Sequence, residues 1–140
     1  MNTPKGNLAG AGTTTAGLVV GGNPFLNETE LWNGTGWSET ANLTTGRQAL
    51  SSLGTQTAAL CVGGKSDPTT RTDIVESWNG TSWTEVGDLN TGREFLSTAG
   101  IETSGLAYAG NVPGVQAVTE TYDGVTWTEE ADLSTARMQA

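Results

Sequence analysis

The string Trp78-Asn-Gly-Thr-Ser-Trp83 returns twice more, as Trp32-Asn-Gly-Thr-Gly-Trp37 and Tyr122-Asp-Gly-Val-Thr-Trp127, at steps of 46 and 44 residues. Self-similarity at this period is the signature of an array of like supersecondary units, and three copies account for nearly all of the 140 residues. The rest of the chain falls into the same frame. Leu43-Thr-Thr-Gly-Arg47 matches Leu89-Asn-Thr-Gly-Arg93 and Leu133-Ser-Thr-Ala-Arg137, with Met1-Asn-Thr-Pro-Lys5 in the same place at the start. The repeats therefore span 1–42, 43–88 and 89–132, with the opening of a further unit at 133–140.

Each repeat predicts four strands. A first strand rich in small residues (Lys5 to Gly12, Arg47 to Gly54, Arg93 to Gly100) suits a crowded place. A second, apolar strand (Ala16 to Val20, Thr57 to Val62, Gly105 to Ala109) runs into a glycine pair, Gly21-Gly22 and Gly63-Gly64, with Gly110-Asn111 as its degraded form. Glycines there permit positive φ or close backbone approach. Loops of unequal length follow, and Lys65 to Thr72 and Asn111 to Gln116 each carry a proline. Length variation at one position of a repeat marks a surface loop, where specificity is usually placed.

The third and fourth strands form the aromatic hairpin. Read as a two-residue type I′ turn, Asn79-Gly80 pairs Trp78 with Thr81 and Glu76 with Trp83. Glu76, Trp78, Thr81 and Trp83 then share one face, the two rings diagonal to each other, and Ser77 and Ser82 take the other. A buried Trp removes about 150 Å² from water, worth about 4 kcal/mol, so these rings should dominate packing.

Composition narrows the chemistry. With no His, the chain lacks imidazole bases, His metal ligands and Ser-His-Asp triads. Its single Cys61, inside the apolar run Ala58 to Val62, reads as a small core hydrophobe and excludes an internal disulfide or a multi-Cys metal site. The net charge of −9 and the lack of a basic patch argue against nucleic acid and anionic membranes. Nothing resembles a membrane span or a signal peptide, so a soluble chain is expected. No D-x-D-x-D-G calcium loop occurs, and no cofactor or metal is implied. The sequons at Asn27, Asn33, Asn42 and Asn79 matter only in a glycosylating compartment.

An Arg-led first strand, a second strand ending in Gly-Gly, an aromatic in the third and a Trp in the fourth resemble the kelch repeat of β-propellers. The likeness covers essentially the whole chain and is fullest in the second repeat, at Arg47, Gly63, Gly64, Trp78 and Trp83. It implies an all-β fold of kelch-like β-propeller blades, each a four-stranded antiparallel sheet, three per chain. It also implies that Trp32, Trp37, Trp78, Trp83, Tyr122 and Trp127 pack blade against blade. The wording GTQTAALCVGG, ESWNGTSWTEV and DLNTGR is similar in style to kelch-like arrays in structural proteins of marine bacteriophages, a looser likeness that implies a virion-associated setting. A WD40 propeller fits poorly, since its Gly-His signature is impossible without His, and the copper chemistry of galactose-oxidase-like kelch enzymes is excluded.

Propellers usually have four to eight blades. Three blades would expose apolar end faces, so a homodimer closing a six-bladed propeller is the expectation. The expected function is a non-enzymatic binding or structural module presenting its loops to a protein or carbohydrate. The alternative is a sialidase-like enzyme using an axial arginine cluster at the channel mouth, Arg47, Arg93 and Arg137. The competing reading of those arginines is structural, bonding neighbouring carbonyls or carboxylates, and Glu30, Glu76 and Glu120, equivalent across the repeats, are expected to bond loop amides or the arginines.

Overall fold

The computed structural model describes residues 1–138, so Gln139 and Ala140 of the opening unit 133–140 lie outside the described residues. Among the described residues there is no helix; twelve strands form three four-stranded antiparallel sheets, each in simple meander order. The first holds β1 (Ala9–Gly12), β2 (Gly17–Val20), β3 (Thr29–Trp32) and β4 (Trp37–Glu39). The second holds β5 (Ser51–Gly54), β6 (Ala59–Val62), β7 (Val75–Trp78) and β8 (Trp83–Glu85). The third holds β9 (Ser97–Ile101), β10 (Ser104–Tyr108), β11 (Thr119–Tyr122) and β12 (Trp127–Glu129). The first strands β1, β5 and β9 lie side by side, so the sheets stand like blades against a common inner edge.

Two cores fill the spaces between sheets. One joins Leu18 and Val20 of the first sheet to Ala59, Cys61, Trp78 and Trp83 of the second. The other joins Leu53, Leu60 and Val62 to Ala107, Tyr122 and Trp127 of the third. The arrangement has a direction, because at both junctions the aromatic pair of the later sheet covers the aliphatic face of the earlier one.

The first strands are shorter than the sequence suggests. Extended pairing begins only at Ala9, Ser51 and Ser97, because Asn7, Ala49 and Phe95 take φ of 52°, 53° and 54° and break the run. Arg47 and Arg93 consequently belong to the crossing segments between sheets.

The hairpin differs too. Trp78 pairs directly with Trp83 and Glu76 with Glu85, so Asn79 to Ser82 form a four-residue loop and Thr81 is not on the strand face. A type I′ turn needs positive φ at both central residues, whereas in this loop Gly80 has it and Asn79 does not. Asn79 Oδ1 instead accepts the amides of Thr81 and Ser82, each at 2.9 Å, closing the wider loop. The rings are thereby direct cross-strand neighbours, with centroids 5.4, 5.2 and 5.0 Å apart in the three hairpins.

In the third repeat the counterpart of Gly63-Gly64 is Ala109-Gly110 rather than Gly110-Asn111. Gly21, Gly63 and Ala109 share φ of 68°, 60° and 62°, and Gly22, Gly64 and Gly110 follow at 119°, 103° and 110°. Those second residues donate their amides to Arg47, Arg93 and Arg137 carbonyls at 2.8, 2.9 and 2.9 Å.

Candidate functional site

The crossing segments act as clasps. Leu43 donates its amide to Asn27 O at 2.8 Å, holding the clasp to the sheet behind, while Thr44 and Thr45 donate to the Glu76 carboxylate of the sheet ahead at 2.8 and 3.4 Å. Arg47 then bonds Glu76 Oε1 at 3.0 Å and the carbonyls of Gly63 and Ile74 at 3.0 and 2.6 Å. The second clasp repeats this: Asn90 donates its amide and its Nδ2 to Glu120 at 2.7 and 2.8 Å, and Arg93 meets Glu120 at 3.0 Å and Val118 O at 2.8 Å. Arg47, Arg93, Glu76 and Glu120 are all fully buried. Burial pulls the Arg93 guanidinium below its ordinary value against the opposing charge of Glu120.

The first sheet is clasped by residues 2–5. Asn2 donates its amide to Glu30 Oε2 at 2.7 Å, and Lys5 Nζ lies 3.1 Å from Glu30 and 2.9 Å from Glu28. Burial alone would lower Lys5, but hydrogen bonds to Glu28 and Glu30 outweigh it and hold the amine above its usual range. Burial would likewise raise Glu30, and the Asn2 amide and Lys5 overcome it and hold the carboxyl down. At the far end Arg137 is exposed, its Nε 3.4 Å from Thr135 O, and it forms no ion pair with a carboxylate among the described residues.

Each of the three arginines has its own set of partners, none shared with another. Arg47 and Arg93 sit in separate buried clasps, and their bonds to carbonyls and carboxylates are those of the structural reading. Of the aromatic set, Trp78, Trp83, Tyr122 and Trp127 are buried in the cores between sheets, while Trp32 and Trp37 are half-buried and belong to neither core among the described residues.

A concave site does exist where the first strands begin. A cavity of about 120 Å³ is lined by Asn7, Leu8, Ala49, Leu50, Phe95 and Leu96. The three positive-φ residues build it, since Ala49 donates its amide to Asn7 O at 2.9 Å and Phe95 to Ala49 O at 2.8 Å. Antiparallel order brings the connections between second and third strands to the same end. Both variable loops are stitched to the clasps there, Lys65 pairing with Gln48 and Asn111 with Glu94.

Beside Phe95 the loops assemble a charged cluster: Glu94, nearly buried, receives Arg71 at 2.9 Å and Asn111 Nδ2 at 3.2 Å, with Lys65 4.0 Å away. Arg71 Nε and Gln48 Oε1 are buried without a partner. In the Lys65 to Thr72 loop Asp67 Oδ1 accepts the Thr69 and Thr70 amides, each at 2.8 Å, and these hold its carboxyl well below the usual carboxylate range.

Lys65, Asp67, Arg71 and Asn111 fall within the two loops that the sequence marked as surface loops, whereas Asn7, Gln48, Ala49, Glu94 and Phe95 were not singled out from the sequence. The available signal was Phe95, a large aromatic where the other repeats carry Asn7 and Ala49. Among the described residues no group of three His, Cys, Asp or Glu could hold a metal ion. No helix is long and apolar enough to cross a membrane. No family model matches the chain, and no curated protein matches its sequence.

Proposed function

We propose that this chain is a non-catalytic, kelch-type propeller scaffold, and that two copies close a six-bladed ring whose loop-bearing end recognises a protein or a glycan. The observation that carries this reading is the coincidence, at one end of the array, of the Phe95 cavity with the two variable loops. Its lining combines the aromatic Phe95 with aliphatic side chains and the polar Asn7, the mixture a recognition pocket uses, and polar groups follow next in the chain, Gln48 paired with Lys65 and Glu94 bonded by Arg71. The rest of the chain is spent on holding blades together. Repeated clasps and aromatic pairs make a rigid frame, and a rigid frame presenting unequal loops is a binding architecture.

The enzyme alternative is weaker because Arg47 and Arg93 have no exposed surface and opposite charges already 3.0 Å away. The similarity in wording to phage kelch-like arrays supports a virion as the setting. Screening the intact chain on a glycan array and a displayed-peptide library tests the proposal. A ligand whose signal falls at least tenfold in Phe95→Ala and Arg71→Ala, with the fold retained, is the expected result. Turnover of a sialoside by the chain would overturn the non-catalytic reading. Absence of any ligand, together with incorporation into assembled particles, would leave a purely architectural part.

A further inference from the structure

We infer that the two ends of the array are complementary to each other, so that the first sheet of one copy seats on the third sheet of another and Arg137 of the incoming copy clasps Glu30. This rests on the scaffold reading above and names the partner of its end faces.

The internal junctions supply the template. At each, a later sheet's aromatic pair covers an earlier sheet's aliphatic face, leaving Leu18 and Leu60 1% and 0% exposed. The first sheet has its own pair, Trp32 and Trp37, uncovered and half-buried. The third sheet has the corresponding face uncovered: Leu106 stands where Leu18 and Leu60 stand, and Tyr108 replaces the valine of Val20 and Val62, both half-buried. One end therefore carries the knob and the other the seat. A second copy of this chain supplies both.

Two polar observations select that occupant over a generic apolar partner. At the first junction Trp83 Nε1 donates to Thr29 Oγ1 at 2.9 Å. The residue equivalent to Thr29 in the third sheet is Thr119, whose Oγ1 is buried with no partner. The residue equivalent to Trp83 in the first sheet is Trp37, whose ring nitrogen bonds to no described residue. Sheet-on-sheet seating brings the unused donor to the unused acceptor, with a turn of the Thr119 side chain to present its oxygen.

The second observation is charge. The 133–137 segment is already fastened to its own sheet as the other clasps are, with Leu133 N to Ala117 O at 2.9 Å and Gly110 N to Arg137 O at 2.9 Å. In the other clasps the arginine next enters the following sheet and meets its buried glutamate. For Arg137 the following glutamate is Glu30 of the second copy. Lys5 holds that place now as a single ammonium, whereas a guanidinium reaches one carboxylate and two carbonyls at once, as Arg47 does. Arg137 therefore displaces Lys5 and residues 1–5 from the second copy's Glu30.

Sedimentation equilibrium of the intact chain, from micromolar to about a hundredfold higher, tests this. Wild type should associate. Leu106→Glu and Trp37→Ala should each weaken association at least a hundredfold, with circular dichroism unchanged. Arg137→Ala should weaken it about tenfold, and Lys5→Ala, which frees the seat, should strengthen it. A wild-type monomer throughout, or association indifferent to Leu106→Glu, overturns the seat. Association weakened by Lys5→Ala and untouched by Arg137→Ala overturns the clasp exchange. Ligand binding that survives in a monomeric Leu106→Glu chain would leave the scaffold reading standing without this interface, and an associating chain without any ligand would do the reverse.

Discussion

Arg47 Nη2 and Glu76 Oε1 lie 3.0 Å apart with neither side chain exposed, and their partnership joins the segment leaving one sheet to the third strand of the next. Such a pair contributes little net energy relative to an apolar replacement, but removing one member strands a buried charge. Arg47→Met should therefore cost about 3–5 kcal/mol in urea unfolding, and Arg47→Met with Glu76→Leu distinctly less than the single change. A loss below about 1 kcal/mol for the single variant would show that water reaches Glu76 and that the clasp is not structural.

The third sheet contains an unmet donor. Trp127 Nε1 is buried without a partner, because the position that Thr29 fills for Trp83 is occupied by Val75. Val75→Thr keeps the shape and adds the missing oxygen, so it should stabilise the protein by about 1 kcal/mol, the ordinary net value of a satisfied buried hydrogen bond. Thr29→Val should cost about 1–3 kcal/mol by creating the same orphan at Trp83. Thermal unfolding of both variants checks the pair, and shifts of opposite sign are expected. A loss of stability in both would mean that the hydroxyl's own desolvation outweighs the bond.

The periodic strings were legible because they encode what the fold repeats: aromatic pairs that bury the most area, and glycines where backbones nearly touch. What escaped the sequence was conformational. The register of the hairpin depends on the Asn79 side chain capping its own loop, which changes a two-residue turn into four and turns diagonal rings into direct neighbours. The Phe95 cavity depends on three residues of unlike type, Asn7, Ala49 and Phe95, sharing one positive φ. No side-chain pattern announces that. Arg47 and Arg93 were visible as equivalents, but equivalence around an array does not by itself distinguish convergence on an axis from burial in separate clasps.

Ala109 is a case where the repeat departs from its own rule. It holds φ of 62° where Gly21 and Gly63 stand in the other sheets. An L-residue with a β-carbon pays about 1 kcal/mol for that conformation, and glycine does not. Ala109→Gly should raise stability by somewhat less than this amount, since glycine also loses more freedom on folding. A change at the next position, Gly64→Ala, should be severe: at φ of 103° its β-carbon would lie 2.8 Å from both Gln48 O and Leu50 Cβ. Denaturant midpoints rank the two, and a destabilised Ala109→Gly chain would mean that the methyl's packing matters more than the backbone.

Cys61 makes a prediction about alkaline pH. Its thiol is fully buried at the first sheet junction, and burial pushes it up to about 12, Arg47 opposing the shift and Glu76 adding to it. In the unfolded chain the thiol ionises near its ordinary value of about 8.5. Between these values the unfolded state has released a proton that the folded state still holds, so stability falls as pH rises, by about 1.4 kcal/mol per unit for this group. From pH 8.5 to 10 wild type should therefore lose about 2 kcal/mol more than Cys61→Ala, with the tyrosines and lysines, common to both chains, cancelling from the comparison. Below pH 8 the two should change in parallel. A thiol-reactive dye should label native wild type only as fast as it opens, so the labelling rate should rise steeply with urea. Parallel stability losses above pH 8.5, or immediate labelling of the native chain, would mean that the thiol is reached by solvent and that the junction between the first two sheets opens without unfolding.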